Sequence, residues 1–102
     1  MIIHEAAENY LEAIYMLLRR RGYCRSIDVC RELGYSKPTI SIMMKNLREA
    51  GYISIDDTGG IALTATGLEV AQRMYERHET IAQILMKLGV PEDVAYADSY
   101  KI

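Results

Sequence analysis

Ser36-Lys37-Pro38-Thr39-Ile40-Ser41-Ile42-Met43-Met44-Lys45-Asn46-Leu47-Arg48-Glu49-Ala50 is the stretch that decides how the rest of this chain is read. Ser36 is a strong helix N-cap, because its hydroxyl can accept one of the backbone N–H groups that a helix start leaves without a partner. Pro38 falls in the first turn, where its missing N–H costs nothing. Behind them Ile40, Met43, Met44 and Leu47 recur at three and four, one apolar stripe of a helix that Gly51 closes. The remaining face, with Lys37, Thr39, Ser41, Ile42, Lys45 and Arg48, is turned toward solvent or a partner.

Working upstream, Ser26 is a suitable N-cap for a short helix carrying Ile27, Val29, Cys30 and Leu33, and Gly34 ends it. Only a tight turn through Gly34-Tyr35 separates it from the helix that Ser36 begins. Two helices so joined form a helix-turn-helix, whose second helix enters the DNA major groove by its N-terminal residues. Further upstream, Ala7, Tyr10, Leu11, Ile14, Leu17 and Leu18 predict a first helix over Glu5 to Arg21. Arg19-Arg20-Arg21 complements the negative end of its dipole, and Gly22 is its stop. Downstream, Tyr52 to Asp56 and Ile61 to Thr64 alternate around Asp57-Thr58-Gly59-Gly60, which predicts a small hairpin, the wing. Thr64 or Thr66 then caps a long helix running past His78 to Leu88, which Gly89 and Pro91 break. Pro91-Glu92-Asp93 reads as the start of another helix whose body, from Val94 to Ile102, looks cut short. The expected fold is mainly α (α+β), a winged helix-turn-helix with a long helix leading into a partial helical domain.

At 102 residues there is room for one domain with a modest core. The formal net charge of −2 hides a segregation along the chain. Residues 19–48 hold eight basic groups, among them Arg25, Lys37 and Lys45, against two acidic ones, whereas the other 72 residues hold four basic and twelve acidic. A protein that meets phosphates with one face would look like this, and so would a merely solvated basic face. No run is long and apolar enough to span a membrane, and the first residues lack the pattern of a secretion signal, so a cytoplasmic location is expected. Cys24 and Cys30, six apart with no nearby histidine, form no zinc pattern. Both are expected reduced, with Cys30 in the core.

Small hydroxyls, a lysine and a proline at an exposed helix start suit groove reading. Ser36, Lys37, Pro38, Thr39, Ser41 and Lys45 are therefore the candidate DNA contacts, although the same residues are also ordinary helix-start chemistry. Arg25 is a candidate phosphate contact, and Thr58-Gly59-Gly60 a candidate backbone or minor-groove contact. No catalytic set, phosphate-cradling glycine loop or nucleophile elbow is present, so an enzyme is not expected. His78-Glu79, together with Glu8 and Glu12 on the first helix, could bind a divalent metal with nitrogen and oxygen ligands. The alternative is a surface or core histidine, with the acids complementing the dipole of the first helix.

Asn9-Tyr10-Leu11-Glu12-Ala13-Ile14-Tyr15-Met16-Leu17, Ser36-Lys37-Pro38-Thr39-Ile40-Ser41, Leu63-Thr64-Ala65-Thr66-Gly67 and Arg77-His78-Glu79 resemble, in order and spacing, the diphtheria-toxin-repressor family of metal-dependent regulators, and most of all its manganese-transport-regulator branch. The resemblance implies a homodimeric transcriptional regulator, a repressor, that binds double-stranded operator DNA when Mn(II) or Fe(II) occupies its site. It implies a DNA-binding domain over residues 1–75 and, over residues 76–102, an incomplete start of a helical dimerisation and metal-binding domain. Glu12 matches a family carboxylate ligand and His78 the family histidine. Asn9 stands where the manganese branch has an aspartate and the iron branch a methionine, Tyr100 where the family has a carboxylate or cysteine, and Ala82 in place of a glutamate. A further ligand pair would fall beyond Ile102. Two readings stay open: a piece of a longer polypeptide that supplies the rest, or a short winged-helix relative that binds DNA or protein without metal. Either way, this chain is expected to bind Mn(II) or Fe(II) weakly or not at all.

Overall fold

Each apolar stripe becomes a helix and the alternating pair becomes a hairpin. The computed structural model describes residues 2–100, in the order α1 (Ile2–Arg21), α2 (Ser26–Leu33), α3 (Lys37–Glu49), β1 (Ile53–Ile55), β2 (Ile61–Leu63), α4 (Ala65–Lys87) and α5 (Glu92–Ser99). The chain divides within α4 into two units, one through Gln72 and one from Arg73 onward. The fold is that of a winged helix-turn-helix. Among the described residues no helix is long and apolar enough to cross a membrane.

The first unit is organised around α1. Tyr10, Leu11, Ile14 and Leu17 meet Val29 of α2, Ile40, Met44 and Leu47 of α3, Ile53 and Ile61 of the hairpin and Ala71 of α4 in one buried cluster. Each such Leu or Ile contributes roughly 1.5–3 kcal/mol on burial. The cysteine in this core is Cys24, not Cys30 as expected. Burial pushes the Cys24 thiol up to about 12. Cys30 is half-buried and its thiol donates to the Tyr35 carbonyl, because its place on α2 is at the rim that faces the turn.

The start of α2 also differs from expectation. Arg25, in extended backbone, is the N-cap, and Ser26 is the first helical residue. Asp28 decides this: its Oδ2 accepts the Arg25 N–H at 2.9 Å, the acid-to-cap half of a capping box. At the other end, Gly34 caps α2 at φ 74, a left-handed conformation that glycine adopts without a Cβ penalty, and its N–H donates to the Cys30 carbonyl.

In the wing, Ile53 pairs with Leu63 and Ile55 with Ile61. The loop is held by Asp56, whose Oδ1 accepts from the Thr58 N–H, the Thr58 hydroxyl and the Gly60 N–H. The Thr58 hydroxyl bond first, and then the two backbone bonds, keep the Asp56 carboxyl below the usual range. Outside the hairpin, the Ile61 N–H donates to the Cys24 carbonyl, which ties the wing to the loop before α2.

In the second unit α5 begins after Pro91, as expected, but ends at Ser99 with Tyr100 as its C-cap. The Ser99 hydroxyl donates back to the Tyr96 carbonyl, a local bond that competes with the helical ladder. The last two residues of the expected helix lie outside the described residues.

Candidate nucleic-acid interface

The local chemistry of α3 aims its first turns outward. Ser36 is its N-cap and accepts the Thr39 N–H at 3.3 Å, while the two hydroxyls lie 2.8 Å apart. Pro38 takes the first turn as expected. Because Ile40, Met44 and Leu47 are buried, the helical period leaves Pro38 and Lys45 exposed on the far side and Lys37, Thr39, Ser41 and Arg48 exposed along the flanks. All six residues expected to meet DNA on this stretch therefore lie at or after one capped helix start, five of them on its outer surface and Ser36 as its cap. Lys37 and Ser41 also border a cleft of about 320 Å³ lined by Ser26, Ile27 and Cys30 of α2.

Arg25 and the wing tip, separate candidates in the sequence, come together. A Cβ built on Gly59 would lie 3.0 Å from Nη2 of Arg25, so the guanidinium rests against the turn of the wing. The bond from Ile61 to Cys24 is what brings that turn to the cap of α2. This makes one cationic spot on the helix-turn-helix and wing side of the unit, in place of two loose contacts.

The basic run at the end of α1 is used differently. Arg20 pairs with Glu32 at 2.9 Å on the surface. Arg21 pairs with Asp28 at 2.9 Å and donates to the Tyr23 hydroxyl, with its guanidinium 4.5 Å from that ring. Arg19 lies over the Tyr15 ring. Asp28 itself is buried. Burial opposes its ionisation most strongly, yet the bonds from the Arg25 N–H and from Arg21 outweigh it and hold the carboxyl below its usual range. Part of the positive charge counted in the sequence is thus paired with the protein's own carboxylates. The role of Asp28 was missed in the sequence, and the acid three residues after Arg25 was the signal that could have shown it.

The candidate metal ligands fall in different units. Glu12 is buried on α1 in the first, where Asn9 is exposed. His78 is buried on α4 in the second, its ring 4.3 Å from that of Tyr100. Glu79, read beside His78 as a possible ligand, instead accepts the Tyr96 hydroxyl at 3.0 Å and links α4 to α5. Among the described residues no three His, Cys, Asp or Glu side chains are grouped to hold a metal. One carboxylate and one imidazole do not make up the oxygen-rich set that a hard divalent cation needs.

Residues 3–61 match the family described as iron dependent repressor, N-terminal DNA binding domain. The chain belongs to that family. It is 37% identical over 95 residues to the transcriptional regulator MntR of Escherichia coli O157:H7, which covers 93% of this chain and 61% of that protein. It is 33% identical over 91 residues to the HTH-type transcriptional regulator MntR of Bacillus subtilis (strain 168), covering 89% of this chain and 64% of that one. The chain therefore spans under two thirds of the length of these curated relatives. Among solved structures, T. acidophilum IdeR superposes with a TM-score of 0.83 over 91% of this chain and 44% of its own, at 23% identity, a likeness of fold. The manganese regulator SloR superposes at 0.69 over 94% of this chain and 47% of its own, at 26% identity. The family read from the four motifs is thus the one matched, on the manganese-regulator side.

Proposed function

We propose that this chain is a DNA-binding transcriptional regulator, a repressor that reads double-stranded operator DNA with α3. The observation that carries the reading is the outward face of α3, where Lys37, Pro38, Thr39, Ser41 and Lys45 follow the Ser36 cap with no apolar core contact to occupy them. The first turns of α3 enter the major groove. Lys37 and Lys45 neutralise phosphates, and Ser36, Thr39 and Ser41 bond base edges or phosphates. Arg25, resting on the wing tip, meets a flanking phosphate. Residues 1–75 form the DNA-binding part and the remainder a helical dimerisation part.

A two-fold operator takes two recognition helices, so the working form is a homodimer. The apolar surface that the second unit leaves exposed, with Ile84 on α4 and Leu88 in the turn that follows it at 77% exposure, supports that state. Titrating fluorescent duplex DNA at several salt concentrations tests the function. Affinity falls steeply with salt if α3 and the basic spot meet phosphates, and the reading fails if no binding is seen at low salt.

Mn(II) or Fe(II) regulates the family by resemblance. In this chain Glu12 and His78 are the residues that would hold such an ion, with Asn9 adding a neutral amide oxygen. Without the charge of an acid at position 9, and with a phenol in place of a carboxylate or cysteine at position 100, the ion binds weakly and DNA binding depends little on it. Calorimetric titration with Mn(II) on the native chain and on Asn9→Asp decides this: tight stoichiometric binding by the native chain overturns it, and a gain in the variant supports it.

A further inference from the structure

Ile42 stands outside the buried core cluster of the first unit. It is 61% exposed, more than any other large apolar side chain described in the first unit. A lone exposed isoleucine on a protein surface is ordinary, but this one is at the centre of the outward face of α3. Counting along the helix, Pro38 and Thr39 precede it by four and three residues, Lys45 and Asn46 follow it by three and four, and Ser41 adjoins it. All five are exposed. Pro38, Thr39, Lys45 and Asn46 are the neighbours that a helical residue touches on its own surface.

Neither helix propensity nor solubility selects isoleucine here. A β-branched side chain loses rotamer freedom in a helix, and an exposed helix position is ordinarily filled by Lys, Glu, Gln or Arg. What the position offers is a sec-butyl group framed by Pro38, Thr39, Lys45 and Asn46, on a helix whose exposed charges are Lys37, Lys45 and Arg48 against one acid, Glu49, two turns along from Ile42. The positive balance of these charges complements a polyanion. Of the four bases, thymine alone presents an apolar group, its C5 methyl, in the major groove.

We propose that Ile42 is a specificity-determining residue that packs on a thymine C5 methyl in each half-site and so selects thymine at one position of the operator. The inference rests on the proposed DNA-binding function and deepens it by naming the base. Burying a methyl against an apolar side chain is worth about a threefold to tenfold change in affinity.

The test begins by selecting preferred duplexes from a random-sequence library with the native 102-residue chain. Each thymine of the selected site is then replaced singly by deoxyuridine, which removes only the methyl. One replacement per half-site weakens native binding by about threefold to tenfold. Ile42→Ala binds the thymine and uracil duplexes alike, with its salt slope and thermal midpoint unchanged, and Ile42→Gln selects a different base there. The inference is overturned if no thymine methyl matters, or if Ile42→Ala keeps the thymine preference. It is overturned as well if sedimentation shows that Ile42→Ala has lost self-association, which would make this face a contact between copies. If specific binding persists in either case, the DNA-binding function stands without it, whereas absence of any DNA binding at low salt removes both.

Discussion

The helices α3 and α4 begin with the same device and put it to opposite uses. Ser36 caps α3 by accepting the Thr39 N–H at 3.3 Å, and Thr64 caps α4 by accepting the Gly67 N–H at 3.2 Å. At α4 the cap is closed on the protein. The Thr64 hydroxyl donates to the Gly51 carbonyl at 2.7 Å, its N–H donates to the Tyr52 carbonyl, and a Cβ built on Gly67 would lie 2.0 Å from that same carbonyl oxygen. At α3 the hydroxyl meets only its neighbour Thr39, and the residues after it are exposed. A hydroxyl followed three residues later by its N–H partner marks a helix start in both places. Whether that start joins elements or faces a ligand depends on what the rest of the chain brings against it.

Substitutions at the two starts sharpen the contrast. The largest effect is expected at Gly67. In an open helix Gly→Ala stabilises by about 1 kcal/mol, but here the added methyl meets backbone that cannot move aside, so Gly67→Ala should destabilise by about 3 kcal/mol. Urea unfolding checks it, and a stabilised variant would break the comparison. Thr64→Val, which leaves the Gly51 carbonyl and the Gly67 N–H without their partner, should cost about 2 kcal/mol. Ser36→Ala should cost only about 0.5–1 kcal/mol, because water can replace the exposed cap. Equal losses in urea at the two caps would mean that α3 is as closed as α4.

The start of α2 lies between these extremes and can be read by pH. Folding holds the Asp28 carboxyl below its ordinary value of 3.8, so its contribution is whole above that value and is lost as pH falls through the lower folded one. Asp28→Asn should be less stable than the native chain by about 1–2 kcal/mol at pH 7, a figure already discounted for the solvent around Arg21. The gap between the thermal midpoints of the two proteins should narrow below pH 4. A gap that stays constant down to pH 2 would show that Asp28 acts through shape alone. The smallest effect on stability belongs to the outer face: Lys37→Ala and Lys45→Ala should change it by less than about 0.5 kcal/mol. Each should nevertheless lower the salt slope of DNA binding by about one unit, and unchanged slopes in both would take the phosphate contacts away from α3.

The wing and the helix-turn-helix were legible because their signals are local. Ser36, Pro38, Gly34 and Gly51 mark helix ends by their own backbone chemistry, and the stripe from Ile40 to Leu47 sets which face of α3 is buried. The pairing of Arg20 and Arg21 with carboxylates of α2 was not legible. Charge counts carry no direction, and Glu32 and Asp28 lie twelve and seven residues away along the chain. The exchange between Cys24 and Cys30 has the same origin. Periodicity on α2 brings Cys30 toward the core, but the loop that carries Cys24 has no period, and only its bond to Ile61 shows that it is enclosed.

By itself, then, the chain determined its helices, its hairpin, its family motifs and the outer face of α3, because caps, turns and apolar periods act over a few residues. Tertiary structure decided which cations are spent on protein carboxylates, that Arg25 and Gly59 share one spot, that Glu79 serves Tyr96, and that Gly67 must have no side chain. Each of these depends on the approach, to within a few ångströms, of two segments distant in sequence, which the packing inside each unit sets and no local pattern records.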